Sequence, residues 1–198
     1  MALHGQRPKT AAQFDQMVSG SKNKAVFFDR DGVLVLPEIR DGRGFAPTRF
    51  EDFKIYAEAL DSLNAVKQAG FLSVIVTNQP DIGKGVIAPS ELDKMHEKLM
   101  RELPIDLIEV CPHTREANCD CRKPKPGMLI NAAVKLGIAL DQSYMIGDTI
   151  GDIDAGKAAG CKTIFIDLEY EAVTKPSNQD YTVKSVADAV PYMLNALN

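Results

Sequence analysis

Residues Ala25–Val35, reading AVFFDRDGVLV, constrain the fold of this 198-residue chain more than any other stretch. Four apolar residues, Ala25, Val26, Phe27 and Phe28, run straight into Asp29, Asp31 and Gly32. A continuous apolar run bounded by turn residues predicts a strand buried on both faces, as in a parallel sheet. The acidic turn then falls at the strand's C-terminal end, where open α/β sheets place their ligands. Two carboxylates one residue apart can converge on one small volume. Their repulsion must be offset by positive charge, above all by a metal ion. Such a pair lets one carboxylate attack while the other moves a proton. On its own it reads equally well as an acidic turn capping a strand, so its partners further along decide.

The length suits one domain with a sizeable core. Hydrophobic residues at 45% and charged residues at 25% are ordinary for a globular protein, and a net charge of −4 gives no general pull toward nucleic acid or anionic membrane. No apolar run approaches membrane-spanning length. The opening MALHGQRPKTAAQF lacks the apolar core of a signal peptide, so the expected compartment is cytoplasmic. Residues 1–20 read as an N-terminal arm and residues 21–198 as the folded domain.

Strand and helix patterns alternate. Leu36–Asp52, with Pro37, Gly42, Gly44 and Pro47, reads as a loop beside the acidic turn. Ala57–Ala69 carries helical spacing and stops at Gly70, and Phe71–Val76 is a second buried strand entering Thr77, Asn78 and Gln79. After the loop Pro80–Ala88, Ser90 and Asp93 form a capping-box pattern for a helix with Leu92, Met95, Leu99 and Leu103 inside. His96 reads as a packed or half-exposed helix residue rather than a ligand, because no second ligand stands one turn away. Ile105–Val110 is a third strand, and a helix runs from near Gly127 to Gly137. Tyr144–Ile146 enters GDTIGD (Gly147–Asp152), followed by a helix Ile153–Ala159 and a fifth strand, Lys162–Ile166. The tail Ser185–Leu197 reads as a closing helix, bent or divided at Pro191. The alternation predicts an α/β fold: a three-layer sandwich around a central parallel sheet.

Reactive residues stand at the strand ends: Asp29 and Asp31, then Thr77 and Asn78, then Asp148 and Asp152, with Arg122 and Lys123 arriving from the loop after the third strand. In a parallel sheet these ends face one crevice. Carboxylates, cations and a hydroxyl together suit a phosphoryl group and a divalent metal, Mg²⁺ by its preference for carboxylate oxygen and water. The ordered set DRDGV, VTNQ, RKP and GDTIGD resembles the four signature motifs of the haloacid dehalogenase (HAD) superfamily of phosphatases, over about Lys24 to Asp167. The resemblance implies a HAD-like, Rossmannoid fold without a large cap domain. It implies Asp29 as nucleophile, forming an aspartyl-phosphate, and Asp31 as general acid and base. It places Mg²⁺ on Asp29, the backbone carbonyl of Asp31, and Asp148. Asp152 would position the metal's water ligands or hydrogen-bond within the loop. Thr77 and Lys123 would hold the phosphoryl oxygens. Arg122 would clamp a phosphate through two parallel hydrogen bonds, and Asn78 and Gln79 would join it in binding substrate.

Cys111, His113, Cys119 and Cys121 supply three thiolates and an imidazole, the composition of a closed structural zinc site. Their spacing is tighter than the usual C-x₂-C, and the plainer reading is free cytosolic thiols beside a surface histidine. A zinc-binding loop here would rigidify the approach to Arg122 and Lys123. Cys161 stands apart and reads as a small core residue. The form CPH…CxCRKP resembles the zinc-containing subgroup of the heptose bisphosphate and histidinol-phosphate phosphatases, and RKPKPGM is closer to the heptose enzymes. TNQPDIGKG in place of TNQSGIARG, Thr149 in place of lysine, and the long Leu36–Asp52 loop depart from the heptose pattern where substrate is chosen. The expected activity is therefore removal of phosphate from a small phosphorylated sugar, with a heptose bisphosphate in front and histidinol phosphate behind. A DNA 3′-phosphatase fits less well, since there is no basic stripe with stacking aromatics. A non-catalytic zinc-stabilised module would be expected to have lost Asp29, Asp31 or Lys123. No nucleic-acid or membrane partner is expected, and a monomer is.

Overall fold

The computed structural model describes residue 20 and residues 22–195; the expected N-terminal arm and the last turn of the expected closing helix lie outside the described residues. A six-stranded sheet forms the middle layer, in the order β5-β4-β1-β6-β7-β8, with every pairing parallel. Its strands are β1 (Lys24–Phe28), β4 (Phe71–Asn78), β5 (Leu107–Cys111), β6 (Tyr144–Gly147), β7 (Lys162–Ile166) and β8 (Tyr181–Val183). An antiparallel hairpin of β2 (Glu38–Arg40) and β3 (Arg43–Phe45) stands apart from the sheet.

Strand alternation divides the core. Val26 and Phe28 of β1 point to the face covered by α1 (Ala59–Gln68), α3 (Pro89–Glu102) and α6 (Val186–Asn195). Ala25 and Phe27 point to the face covered by α4 (Gly127–Leu136) and α5 (Ile150–Ala159). Both faces are therefore apolar, which explains the unbroken hydrophobic run of β1. The expected three layers are present. Among the described residues no helix is long and apolar enough to cross a membrane.

Several local expectations change. Inside the presumed loop Leu36–Asp52, Asp41 and Gly42 both take positive φ, 49° and 70°, and close the hairpin as a two-residue turn. The loop after β4 contains a short helix, α2 (Pro80–Gly83). The helix α3 starts at Pro89 with no side-chain cap, so the Ser90–Asp93 capping box does not form; proline at the first turn presets the helical φ instead. The helix α5 begins three residues earlier than expected, because Thr149 and Asp152 make a capping box of their own. The helix α6 continues through Pro191. The third strand is shifted to end on Cys111, and β8 is a short edge strand that its sequence did not announce.

Candidate active site

The C-terminal ends of β1, β4 and β6 open into one cavity of about 1130 Å³, whose lining includes Asp29, Asp31, Thr77, Asn78, Arg122, Lys123, Asp148 and Asp152. Gly32 allows the first two acidic segments to meet. Its φ is 88°, and a Cβ there would fall 2.2 Å from Asp148 Oδ2, so no side chain fits between the turn and Asp148.

Lys123 is the hub. Its side chain is 3% exposed, and Nζ donates to Val76 O at 2.7 Å while contacting Asp29 Oδ1 at 2.8 Å and Asp152 Oδ1 at 2.5 Å. The two carboxylates push the lysine's pKa upward despite its burial, so it stays charged. Asp152, fully buried, gives its other oxygen to Thr149, at 3.0 Å from N and 2.6 Å from Oγ1. Both of its oxygens are thus engaged within the protein. Asp29 accepts from Arg30 N at 2.7 Å through the same Oδ1 that meets Lys123, which leaves Oδ2 uncommitted among the described residues.

Oxygens of Asp29, Asp148 and Asp152 lie within 4.8 Å of one another, with a single buried ammonium among them. Asp148 Oδ1 is buried without a hydrogen-bond partner. Burial, and then the charges of Asp29 and Asp152, hold the Asp148 carboxyl well above its ordinary range. Asp29 is pushed up to about 7, chiefly by burial and further by Asp152 and Asp31, against the opposing pull of Lys123. Three carboxylates around one cation leave negative charge that a divalent ion with oxygen preference would neutralise. The donor set therefore fits Mg²⁺.

Asp31 is gripped from the side. Arg30, fully buried, places Nε 3.2 and 3.0 Å from the two Asp31 oxygens and Nη2 3.0 Å from Oδ2. Arg30 Nη1 in turn meets His96 Nε2 at 3.3 Å, and its guanidinium lies 5.3 Å from the centre of the Phe53 ring. Burial, and then Arg30, push the His96 pKa down to about 4, so the imidazole is a neutral acceptor. Neither Arg30 nor its histidine prop was anticipated from sequence, although a cation between two aspartates in DRD was the available signal.

Gln79 donates to Asp31 Oδ2 and to Thr77 Oγ1, each at 2.9 Å, and Asn78 bonds both N–H and C=O of Lys123, at 3.1 and 3.2 Å. These bonds orient Asp31, Thr77 and Lys123, and Asn78 also lines the cavity. Arg122 lines the cavity with Nη1 on His113 O at 3.0 Å.

The three cysteines and the histidine of the loop also converge. Cys111 Sγ lies 3.6 Å from both His113 Nδ1 and Cys119 Sγ, and Cys121 Sγ lies 3.3 Å from His113 Nδ1 and 3.4 Å from Cys119 Sγ. A tetrahedral shell with bonds of about 2.0–2.3 Å has ligand–ligand edges of about 3.5–3.8 Å, close to this set. These separations exceed any disulfide, and the thiols are free. Cys161 is buried in the core below α4 and α5, as expected.

A parallel sheet whose strand ends assemble carboxylates around a buried lysine is the arrangement that the resemblance to the haloacid-dehalogenase phosphatases implies. A family model described as "HAD-hyrolase-like" matches residues 120–189. The chain is 32% identical over 187 residues to the D-glycero-beta-D-manno-heptose-1,7-bisphosphate 7-phosphatase of Pasteurella multocida, covering 88% of this chain and 98% of that protein. It is 31% identical over 178 residues to the enzyme of the same name from Escherichia coli K12, covering 83% and 90%. Among solved structures it resembles the D,D-heptose 1,7-bisphosphate phosphatase of B. bronchiseptica complexed with magnesium and phosphate, with TM-score 0.71, 25% identity, and coverage of 87% and 99%. The chain belongs to the HAD-like phosphatase family of these heptose bisphosphate 7-phosphatases.

Proposed function

We propose that this phosphatase is a Mg²⁺-dependent phosphomonoesterase that removes the 7-phosphate of D-glycero-D-manno-heptose 1,7-bisphosphate through an aspartyl-phosphate on Asp29. The single observation that carries the chemistry is Lys123 Nζ between Asp29 Oδ1 and Asp152 Oδ1, beside the partnerless oxygen of Asp148. Lys123 holds Asp29 by one oxygen and leaves Oδ2 to attack phosphorus. Asp31, braced by Arg30 and Gln79, gives a proton to the leaving sugar oxygen and later takes one from the attacking water. Thr77 and Lys123 donate to the transferring oxygens as their charge grows. Asp29, Asp148 and the backbone carbonyl of Asp31 would hold Mg²⁺, which supplies Lewis-acid neutralisation of the phosphoryl group. Cys111, His113, Cys119 and Cys121 would hold a structural Zn²⁺ that fixes the loop leading into Arg122 and Lys123.

The cavity rim favours a second phosphate on the substrate. Arg40, Arg43, Lys84, Arg115, Arg122 and Lys125 line it; Arg40, Lys84 and Lys125 pair with Glu38, Asp81 and Asp120, while Arg43, Arg115 and Arg122 have no ion-pair partner among the described residues. Such a rim attracts a bisphosphate and opposes histidinol phosphate, which carries an ammonium group. Phosphate release from the heptose bisphosphate, histidinol phosphate and a 3′-phosphorylated oligonucleotide tests the proposal. Mg²⁺-dependent turnover highest on the first supports it. Faster turnover of either alternative overturns the substrate, and no turnover on any overturns the activity.

A further inference from the structure

A chain of contacts runs from Asp31 to α3. Arg30, fully buried, lies between them, with Nε 3.2 and 3.0 Å from Asp31 Oδ1 and Oδ2 and Nη1 3.3 Å from His96 Nε2. Arginine only donates, so Nε2 is the accepting nitrogen. Arg30 Nη2 sits 3.0 Å from Asp31 Oδ2 but makes no aligned hydrogen bond. Among the described residues, His96 is therefore the acceptor that holds the far end of the guanidinium. The same helix secures a second side: Lys98 Nζ donates to Phe53 O at 3.2 Å, and the Phe53 ring lies 5.3 Å from the guanidinium carbon. The angle of the guanidinium matters to the carboxylate it grips. Asp31 Oδ2 accepts from Arg30 Nε at 3.0 Å and from Gln79 Nε2 at 2.9 Å, whereas Oδ1 has only the longer contact to Nε. Oδ1 is the oxygen with room for a proton.

We propose that His96 is a positioning residue for proton transfer: through Arg30 it fixes the plane of the Asp31 carboxyl, keeping Oδ2 occupied and leaving Oδ1 to carry the proton. That proton passes to the leaving sugar oxygen as its bond to phosphorus breaks and the bond from Asp29 Oδ2 forms. Without an acceptor at position 96, both terminal nitrogens of a buried guanidinium lack aligned partners. The group then turns toward any acceptor in reach and carries Nε away from Asp31. His96 is not part of the cavity lining, so its effect passes entirely through Arg30. The inference rests on Asp31 acting as the general acid of the function proposed above.

Two substrates of different leaving group test it: the heptose bisphosphate, whose alkoxide needs a proton to leave, and p-nitrophenyl phosphate, whose phenolate does not. The readout is kcat/KM, which stops at loss of the leaving group, with competitive inhibition by inorganic phosphate measured beside it. His96→Leu lowers kcat/KM on the sugar by about tenfold to a hundredfold, changes it less than about twofold on the aryl ester, and leaves phosphate inhibition as in the parent. His96→Gln, which offers Nη1 an amide oxygen, recovers most of the loss. Arg30→Lys, which keeps the charge but not the bridge, shows the same substrate-selective loss, and adding His96→Leu to it costs nothing more. Partial unfolding lowers both rates alike and so cannot mimic this pattern. Where only the sugar is cleaved, phosphate inhibition decides: a loss of kcat/KM with parent-like inhibition supports the inference, and a parallel loss of both overturns it. A parent-like rate on the sugar in His96→Leu, equal losses on the two substrates in either single variant, or no recovery in His96→Gln also overturns it. A parent chain that hydrolyses neither substrate overturns the function on which it rests.

Discussion

Replacing Lys123 with methionine separates its charge from its bulk. Methionine fills much of the same slot but loses the contacts to Val76 O, Asp29 Oδ1 and Asp152 Oδ1, at 2.7, 2.8 and 2.5 Å. The lysine side chain is 3% exposed and Asp152 is 0% exposed, so water cannot replace what is removed. Deleting one partner of a buried ion pair costs about 3–5 kcal/mol, a large part of an ordinary domain's stability. Protonation offers partial relief. The Asp29 carboxyl already titrates near 7 with Lys123 present, and losing the lysine raises it further. A carboxyl with a raised folded pKa keeps its proton while the unfolded one has lost it, so the folded state is favoured at lower pH. The deficit in Mg²⁺-free protein is therefore largest near pH 8 and shrinks toward pH 6. Urea unfolding at both pH values, with the m-value checked for constancy, measures it. Added Mg²⁺ recovers part of the loss at pH 8, while turnover stays down by about 10²–10³ for want of a charged donor to the phosphoryl group. A Lys123→Met protein within about 1 kcal/mol of the parent at pH 8, well short of the cost of a broken buried pair, would mean that Lys123 does not hold a buried charge network.

His96→Gln keeps an acceptor for Arg30 but cannot titrate. In the parent, the unfolded histidine (pKa about 6.5) binds its proton before the folded one (about 4), so stability falls as pH drops from 6.5 toward 4, by at most about 3 kcal/mol. The variant's stability is flatter across that window, and an unchanged profile measured by denaturant melts contradicts the buried neutral imidazole. Elemental analysis finds one zinc per chain; Cys119→Ser or strong chelation lowers the melting temperature, and an unchanged melting temperature after zinc removal argues against the clip. Arg40→Ala combined with Arg43→Ala raises KM for a bisphosphate about tenfold or more and leaves Mg²⁺ affinity nearly unchanged, because both guanidiniums lie at the cavity rim. An unaltered KM removes the hairpin from substrate binding.

Long-range structure was legible where both faces of a strand are buried. The run before Asp29, the run before Thr77 and the short segment before Gly147 needed no partner to be recognised, because covering helices demand apolar residues on every position. The hairpin was not read, since its strands are three residues each and mostly exposed, so no hydrophobic period marks them. Its signal was the Asp41-Gly42 dipeptide, with a turn type that fixes the register. The early start of α5 is equally legible in Thr149-x-x-Asp152, a capping pattern that shares its aspartate with the acidic motif. At the site, sequence order placed the acids and Lys123 correctly around one cavity. It could not show that Asn78 holds the backbone of Lys123, that Gln79 Nε2 bridges Asp31 and Thr77, or that Arg30 braces Asp31. Those depend on side-chain direction across segments far apart in the chain.

In the proposed reaction Asp29 carries the phosphoryl group during turnover. Acid-quenched reactions with the heptose bisphosphate and Mg²⁺, reduced with borohydride and mapped by peptide mass spectrometry, address it directly. Homoserine at position 29, absent without Mg²⁺ and absent in Asp29→Asn, is the predicted result. Reduction product at another residue, or an Asp29→Asn protein that still turns over at the parent rate, would contradict it.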